Sequence, residues 1–122
     1  MATRAPATLE AALRRWSPEG DADRRTSSRQ AIPLLIRLTP LDGRDGPPSG
    51  PAVTVVGKDL SARGVGIYHE RRLPHRYCEM QIEGDPFGAL VLRVELTWCR
   101  FTRLGWYESG GRVLACEEVE AA

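Results

Sequence analysis

The chain of 122 residues has one lysine, two histidines, three cysteines and no asparagine. The cysteines, at 78, 99 and 116, are odd in number and form no C-x-x-C pair, so neither a disulfide framework nor a zinc ribbon is suggested. Neither histidine stands beside a nucleophile in a glycine-rich elbow, which leaves Ser-His-Asp hydrolase chemistry without support, and the chain is not expected to be an enzyme. His69, Glu70, His75 and Cys78 fall close together but straddle a turn with no standard ligand spacing, so solvated or packed side chains are expected there, not a metal. No window approaches the roughly 18 apolar residues of a membrane span, and the opening "MATRAPATLEAALRRW" lacks the apolar region of a signal peptide. A cytoplasmic protein with reduced thiols and no membrane association is expected.

What is present fits one domain, with 42% hydrophobic and 27% charged residues. The formal net charge is +1, which argues against a protein that coats nucleic acid through charge alone. Of 17 cations, all but Lys58 are arginine. Arginine offers a planar fork of donors that suits phosphate and the Hoogsteen edge of guanine, although a GC-rich gene produces the same bias with no function attached.

Along the chain, Leu9, Leu13 and Trp16 in "TLEAALRRW" are spaced i, i+4 and i+7 behind Thr8, which predicts a short amphipathic helix over 8–16. A polar linker follows, and from Ile32 the period changes to two. Ile32, Leu34, Ile36 and Leu38 share one face, with Pro33 marking an edge or a strand start. "AVTVVGKDL", "GVGIYHE" and "YCEMQIE" read as further strands. Another strand is expected to turn Leu90, Leu92, Val94, Leu96 and Trp98 inward and Arg93, Glu95 and Thr97 outward. "GWYESGGRVLACEE" reads as a last strand interrupted by a Gly-Gly turn. Five or six short strands with turns between them indicate an all-β sandwich or small closed barrel.

Two polar stretches stand out. "KDLSARG" places Asp59, Ser61 and Gly64 at a corner between strands: a carboxylate can accept the paired N–H donors of a guanine edge, a hydroxyl can donate or accept, and glycine lets the backbone approach a ligand. D-x-S is also an ordinary Asx-turn that binds nothing. Upstream, Arg25 and Arg29 in "RTSSR" stand four apart before the first strand, where both could reach one face of the barrel.

R-x-x-x-R followed by a strand and then D/N-x-S-x-x-G resembles the PilZ domain, a bacterial receptor for the second messenger cyclic di-GMP. The arginine half is expected about twice by chance and also occurs at Arg72 and Arg76, whereas the second half is expected by chance only about 0.03 times. Motif order selects Arg25 and Arg29. The resemblance covers roughly residues 24–115. It implies a six-stranded antiparallel β-barrel, here with a short N-terminal helix: residues 1–23 form helix and linker, 24–116 the barrel and 117–122 a tail. It further implies that Arg25 and Arg29 hold guanine and phosphate, that Asp59 and Ser61 meet the guanine edge, and that Gly64 makes the turn. Arg24 and Arg63 are flanking candidates. Many members end in a C-terminal helix whereas "ACEEVEAA" is short, so the capping element is expected to be missing or supplied by the N-terminal helix, and a glycine often seen after the Leu-Pro is lacking after Leu73-Pro74.

The expectation is therefore a non-enzymatic cyclic di-GMP receptor, with no cofactor, whose arginine segment orders on the ligand and signals to a protein partner. A PilZ-like barrel acting only as a protein-interaction module stays open. So does a single-strand binder using the arginines and aromatics of "FTRLGWYESGGR". Trp16, Trp98, Trp106 and Tyr107 are read as core and rim aromatics in preference to a base-stacking platform.

Overall fold

Alternating apolar residues in short runs can be buried together only where strands share one face, and the chain folds accordingly. The computed structural model describes residues 2–7, 29–84 and 88–121. They contain β1 (Ala2–Ala7), β2 (Gln30–Ala31), β3 (Leu35–Leu41), β4 (Val53–Leu60), β5 (Gly64–His69), β6 (Tyr77–Gly84), β7 (Gly88–Phe101) and β8 (Tyr107–Ala121). Strands β3 to β8 form a closed antiparallel barrel of six strands in the order β8-β5-β4-β3-β6-β7, with β7 pairing back onto β8. Closure leaves the ring itself without an unpaired edge.

Two short strands are added outside the ring. β1 runs along the C-terminal half of β8, with Ala7 opposite Cys116, and β2 pairs with the end of β4, with Gln30 opposite Leu60. β8 continues through Ala121, so residues expected in a C-terminal tail carry this pairing. The helix expected over 8–16 lies outside the described residues, as do Arg24 and Arg25. Among the described residues no helix is long and apolar enough to cross a membrane.

The interior is filled by the alternating sets: Ile36 and Leu38 from β3, Val55 and Leu60 from β4, Val65 and Ile67 from β5, Cys78, Met80 and Ile82 from β6, Leu90, Leu92 and Val94 from β7. Burying one such aliphatic side chain contributes about 1.5–3 kcal/mol. Burial pushes the Cys78 thiol up to about 12, so it stays protonated. Pro33 precedes β3, which pairs on both sides with β4 and β6, so it marks a strand start and not an edge.

His69 is buried between its own turn and β8. Its Nδ1 donates to the Arg71 carbonyl at 2.6 Å, its Nε2 meets Ser109 Oγ at 2.7 Å, and the ring stacks on Tyr107 with centroids 5.5 Å apart. Among the described residues no group of three or more His, Cys, Asp or Glu side chains could hold a metal ion.

Three register shifts reshape the alternation. In β4, Gly57 faces Ile67 and Asp59 faces Gly66, so Lys58 is the extra residue of a bulge. Leu114 is extra in β8 and Thr97 in β7, since Leu96 faces Gly111 while Trp98 already faces Gly110. The Thr97 bulge corrects one expectation: strict alternation would send Trp98 inward after Leu96, but the added residue turns it out, and it is 46% exposed. A second correction concerns Gly110 and Gly111. They make no turn, and β8 runs through them without interruption.

Candidate functional site

The bulge at Lys58 decides where Asp59 points. Val55 and Gly57 face the barrel interior; plain alternation would place Asp59 there too, as an ion in an apolar core. With Lys58 inserted, Leu60 takes the inward position and Asp59 turns to the outer surface. There its Oδ1 lies 2.9 Å from Arg29 Nη2 and its Oδ2 3.0 Å from Lys58 Nζ. The Arg29 contact is close but poorly aligned, so Oδ1 is enclosed without a directed hydrogen bond. Gly66, opposite on β5, makes room: a Cβ there would sit 2.8 Å from Oδ1.

Ser61 does different work from Asp59. Its N–H donates to the Gly64 carbonyl at 2.9 Å, and its Oγ accepts from the N–H groups of Gly64 at 3.2 Å and Arg63 at 3.4 Å. The corner is thus closed by the serine hydroxyl, while the aspartate stays in the strand and pairs with cations. An Asx-turn centred on Asp59 is not what holds it. The Arg63 carbonyl in turn accepts from Val113 N–H at 3.0 Å, tying the corner to β8.

Beside the corner opens a cleft of about 280 Å³, bordered by Arg29, Ser61, Arg63, Gly64, Trp98 and Arg112. The sequence-derived residues Arg29, Asp59, Ser61 and Gly64 therefore come together at one place on the barrel. Arg25 and Arg24 lie outside the described residues. Of Arg72 and Arg76, the other match to the arginine pattern, neither lines the cleft: Arg76 pairs with Glu95 behind Arg112, and Arg72 borders a separate hollow with His75.

Several participants were not singled out from the sequence. Arg112 reaches the cleft because Glu95 Oε1 accepts from its Nη2 at 2.7 Å, while Glu95 Oε2 accepts from Arg76 Nε and Nη2 at 2.9 and 2.7 Å. Glu95 faces away from the core as expected, yet is only 5% exposed because these two arginines cover it. Glu108 is similarly enclosed between Lys58, at 3.2 Å, and Arg100, at 2.9 Å. Lys58 therefore links Asp59 to Glu108. The one readable signal was Lys58 itself, a single lysine among arginines next to the aspartate.

These partners lower three carboxyl groups. Arg76 and then Arg112 hold Glu95 below the usual carboxylate range against the effect of burial. Burial alone would raise Asp59, but Arg29 and Lys58 outweigh it; burial would likewise raise Glu108, but Arg100 and Lys58 bring it down. A group whose pKa is lower folded than unfolded stabilises the fold above its unfolded value, near 4 for carboxylates, and loses that contribution as pH falls through the folded value. Urea midpoints are therefore expected to be similar at pH 7 and pH 5 and to fall toward pH 3, with a shallower fall in Glu95→Gln and Glu108→Gln. A flat profile in the native chain, or variants that fall as steeply as the native chain, would contradict this.

Arranged this way, the cleft offers cationic forks for an anion and an indole at its border, with the Asp59 carboxylate next to it, one oxygen against Arg29 and the other against Lys58. No family model, curated protein or solved structure matches the chain.

Proposed function

We propose that the protein is a PilZ-like receptor for cyclic di-GMP that signals by binding and carries out no chemistry of its own. The observation that carries this reading is the meeting of Asp59 with Arg29, which borders the arginine-lined cleft beside the Ser61–Gly64 corner. These residues lie far apart in sequence and belong to the two halves of the motif. In this reading Asp59 accepts from the guanine edge, Arg29 takes base or phosphate, and Gly64 keeps the backbone open to the ligand. Arg24 and Arg25 stand five and four residues before Arg29, so chain length alone keeps them within about 18 Å of it. A cleft of about 280 Å³ is small for a whole ligand, since drug-sized molecules occupy about 300–1,000 Å³. It suits one base with its phosphate.

The described residues on either side of segment 8–28 both pair with strands near this corner. Gln30 pairs opposite Leu60, and Ala7 opposite Cys116, three residues past the Val113 that bonds the corner. In this reading, ligand held by the arginines orders the segment that contains them and so changes the surface a protein partner meets. Calorimetric titration with cyclic di-GMP, with GTP as control, tests the reading. Micromolar or tighter binding with one or two ligands per chain is expected, and absence of heat together with an unshifted melting temperature would sink it.

A second reading, a barrel that serves only as a protein-interaction module, draws on another surface. Phe101 and Leu104 are exposed at the β7–β8 connection, and an apolar hollow of about 590 Å³ lies beside it, lined by Val56, Tyr68 and Trp106. In this reading partner binding is indifferent to the nucleotide and to Arg29→Ala.

A further inference from the structure

We propose that Trp98 is the stacking platform of the cleft, the residue that gives it preference for a flat purine, with Arg112 beside it to take the attached phosphate. The inference rests on the nucleotide-binding reading and adds to it a residue outside both motif halves.

Three observations carry it. First, the Thr97 bulge turns Trp98 out of the core, and an indole 46% exposed on a barrel strand has lost about half of what burial would contribute. Second, the ring is held in place. It lies across Gly110, where a Cβ would overlap the indole atoms Cε2, Nε1 and Cζ2. Glycine in a strand interior weakens the strand and marks a place where another group approaches closely. Here that group is the Trp98 ring, braced on backbone that cannot give way. Arg100, held by Glu108, stands over the ring 6.0 Å from its centroid, at the outer limit of a cation–π contact, and a stacking base would take its place there.

Third, the neighbours complete a nucleotide half-site. Arg112 is tied to the buried Glu95 through one terminal nitrogen, and its side chain remains 61% exposed at the cleft. A guanidinium anchored on one side and open on the other is set to receive an anion with little loss of rotamer freedom. A base on the indole with its phosphate on Arg112 would still leave Arg29 at the cleft border, paired with the neighbouring Asp59, to meet polar edges. Stacking on an aromatic ring is tolerant of base identity but stronger for purines, while hydrogen-bonding groups supply the choice among them.

The test uses the full chain carrying Trp16→Phe and Trp106→Phe, so that Trp98 is the one remaining indole. Titration with cyclic di-GMP is expected to quench its emission in step with the calorimetric isotherm. In the otherwise native chain, Trp98→Ala is expected to weaken binding by about 10- to 100-fold, and Trp98→Phe to keep most of the affinity. Thermal melts of each variant guard against loss of the fold. Heat with the native chain but affinity within twofold in Trp98→Ala, or no quenching at saturation, would overturn the platform and leave the receptor reading standing. No heat with the native chain would overturn both.

Discussion

Asp59→Asn and Arg29→Ala are each expected to weaken cyclic di-GMP binding by about a hundredfold or more while leaving the barrel folded. A charge-assisted hydrogen bond contributes about 1.5–3 kcal/mol, and a carboxylate facing two N–H donors of a guanine makes two of them. Asparagine keeps the size of the side chain and one acceptor but offers an N–H₂ group where the second acceptor stood, so the loss reflects charge and donor pattern more than packing. Arg29 is subtler. In the unliganded protein it sits 2.9 Å from Asp59 Oδ1, where a guanine donor would come, and must move aside or share that oxygen. Removing it therefore removes a competitor as well as a ligand contact. If it is the ligand's cation, affinity falls; if it only shields the aspartate, affinity rises. Calorimetry on both variants, with melting curves as control, separates these cases, and unchanged affinity in both would remove the nucleotide assignment altogether.

Gly57→Ala is expected to cost about 2–3 kcal/mol of stability, a fall in melting temperature of about 10 °C or more. Before β3 the chain crosses close over β4: Gly57 N–H donates to the Leu34 carbonyl at 2.8 Å and Ile32 N–H to the Lys58 carbonyl at 3.2 Å. A Cβ on Gly57 would overlap the Ile32 carbonyl oxygen and press on the Ile32 side chain at 2.9 and 3.0 Å. The obstacle is backbone, so rotamer changes cannot relieve it. Gly105→Ala offers the comparison. Gly105 has φ +83° and nothing near its missing Cβ, so its replacement carries only the cost of a left-handed backbone, about 1 kcal/mol. Equal losses at the two sites would show that the crossing over β4 can relax.

Much of the barrel was legible in the residues. Cys78, Met80 and Ile82 alternate with Glu79, Gln81 and Glu83, and the first three face the core as their spacing requires. The corner at 61–64 was legible too, because serine and glycine at those positions have few other uses. Its inner wiring was not. D-x-S suggested an aspartate folded back on its own turn, whereas the serine closes the turn and the aspartate pairs with Arg29 and Lys58. Gly110-Gly111 looked like a turn because glycine pairs usually mark one. They are instead the flat places in β8 where the Trp98 ring and the Glu95 carbonyl come close.

The residues alone determined the strand periods, the breaks at Pro33 and at the glycine-rich corner, and the presence of both motif halves in order, because each depends on side chains a few positions apart. Tertiary structure decided which way Asp59 and Trp98 face, and which arginine meets which carboxylate. Both directions hang on one extra residue in a strand, at Lys58 and at Thr97. Where a bulge falls is set by closing six strands into a ring with matched hydrogen bonds on both sides. That condition involves partners far along the chain, so no local pattern expresses it.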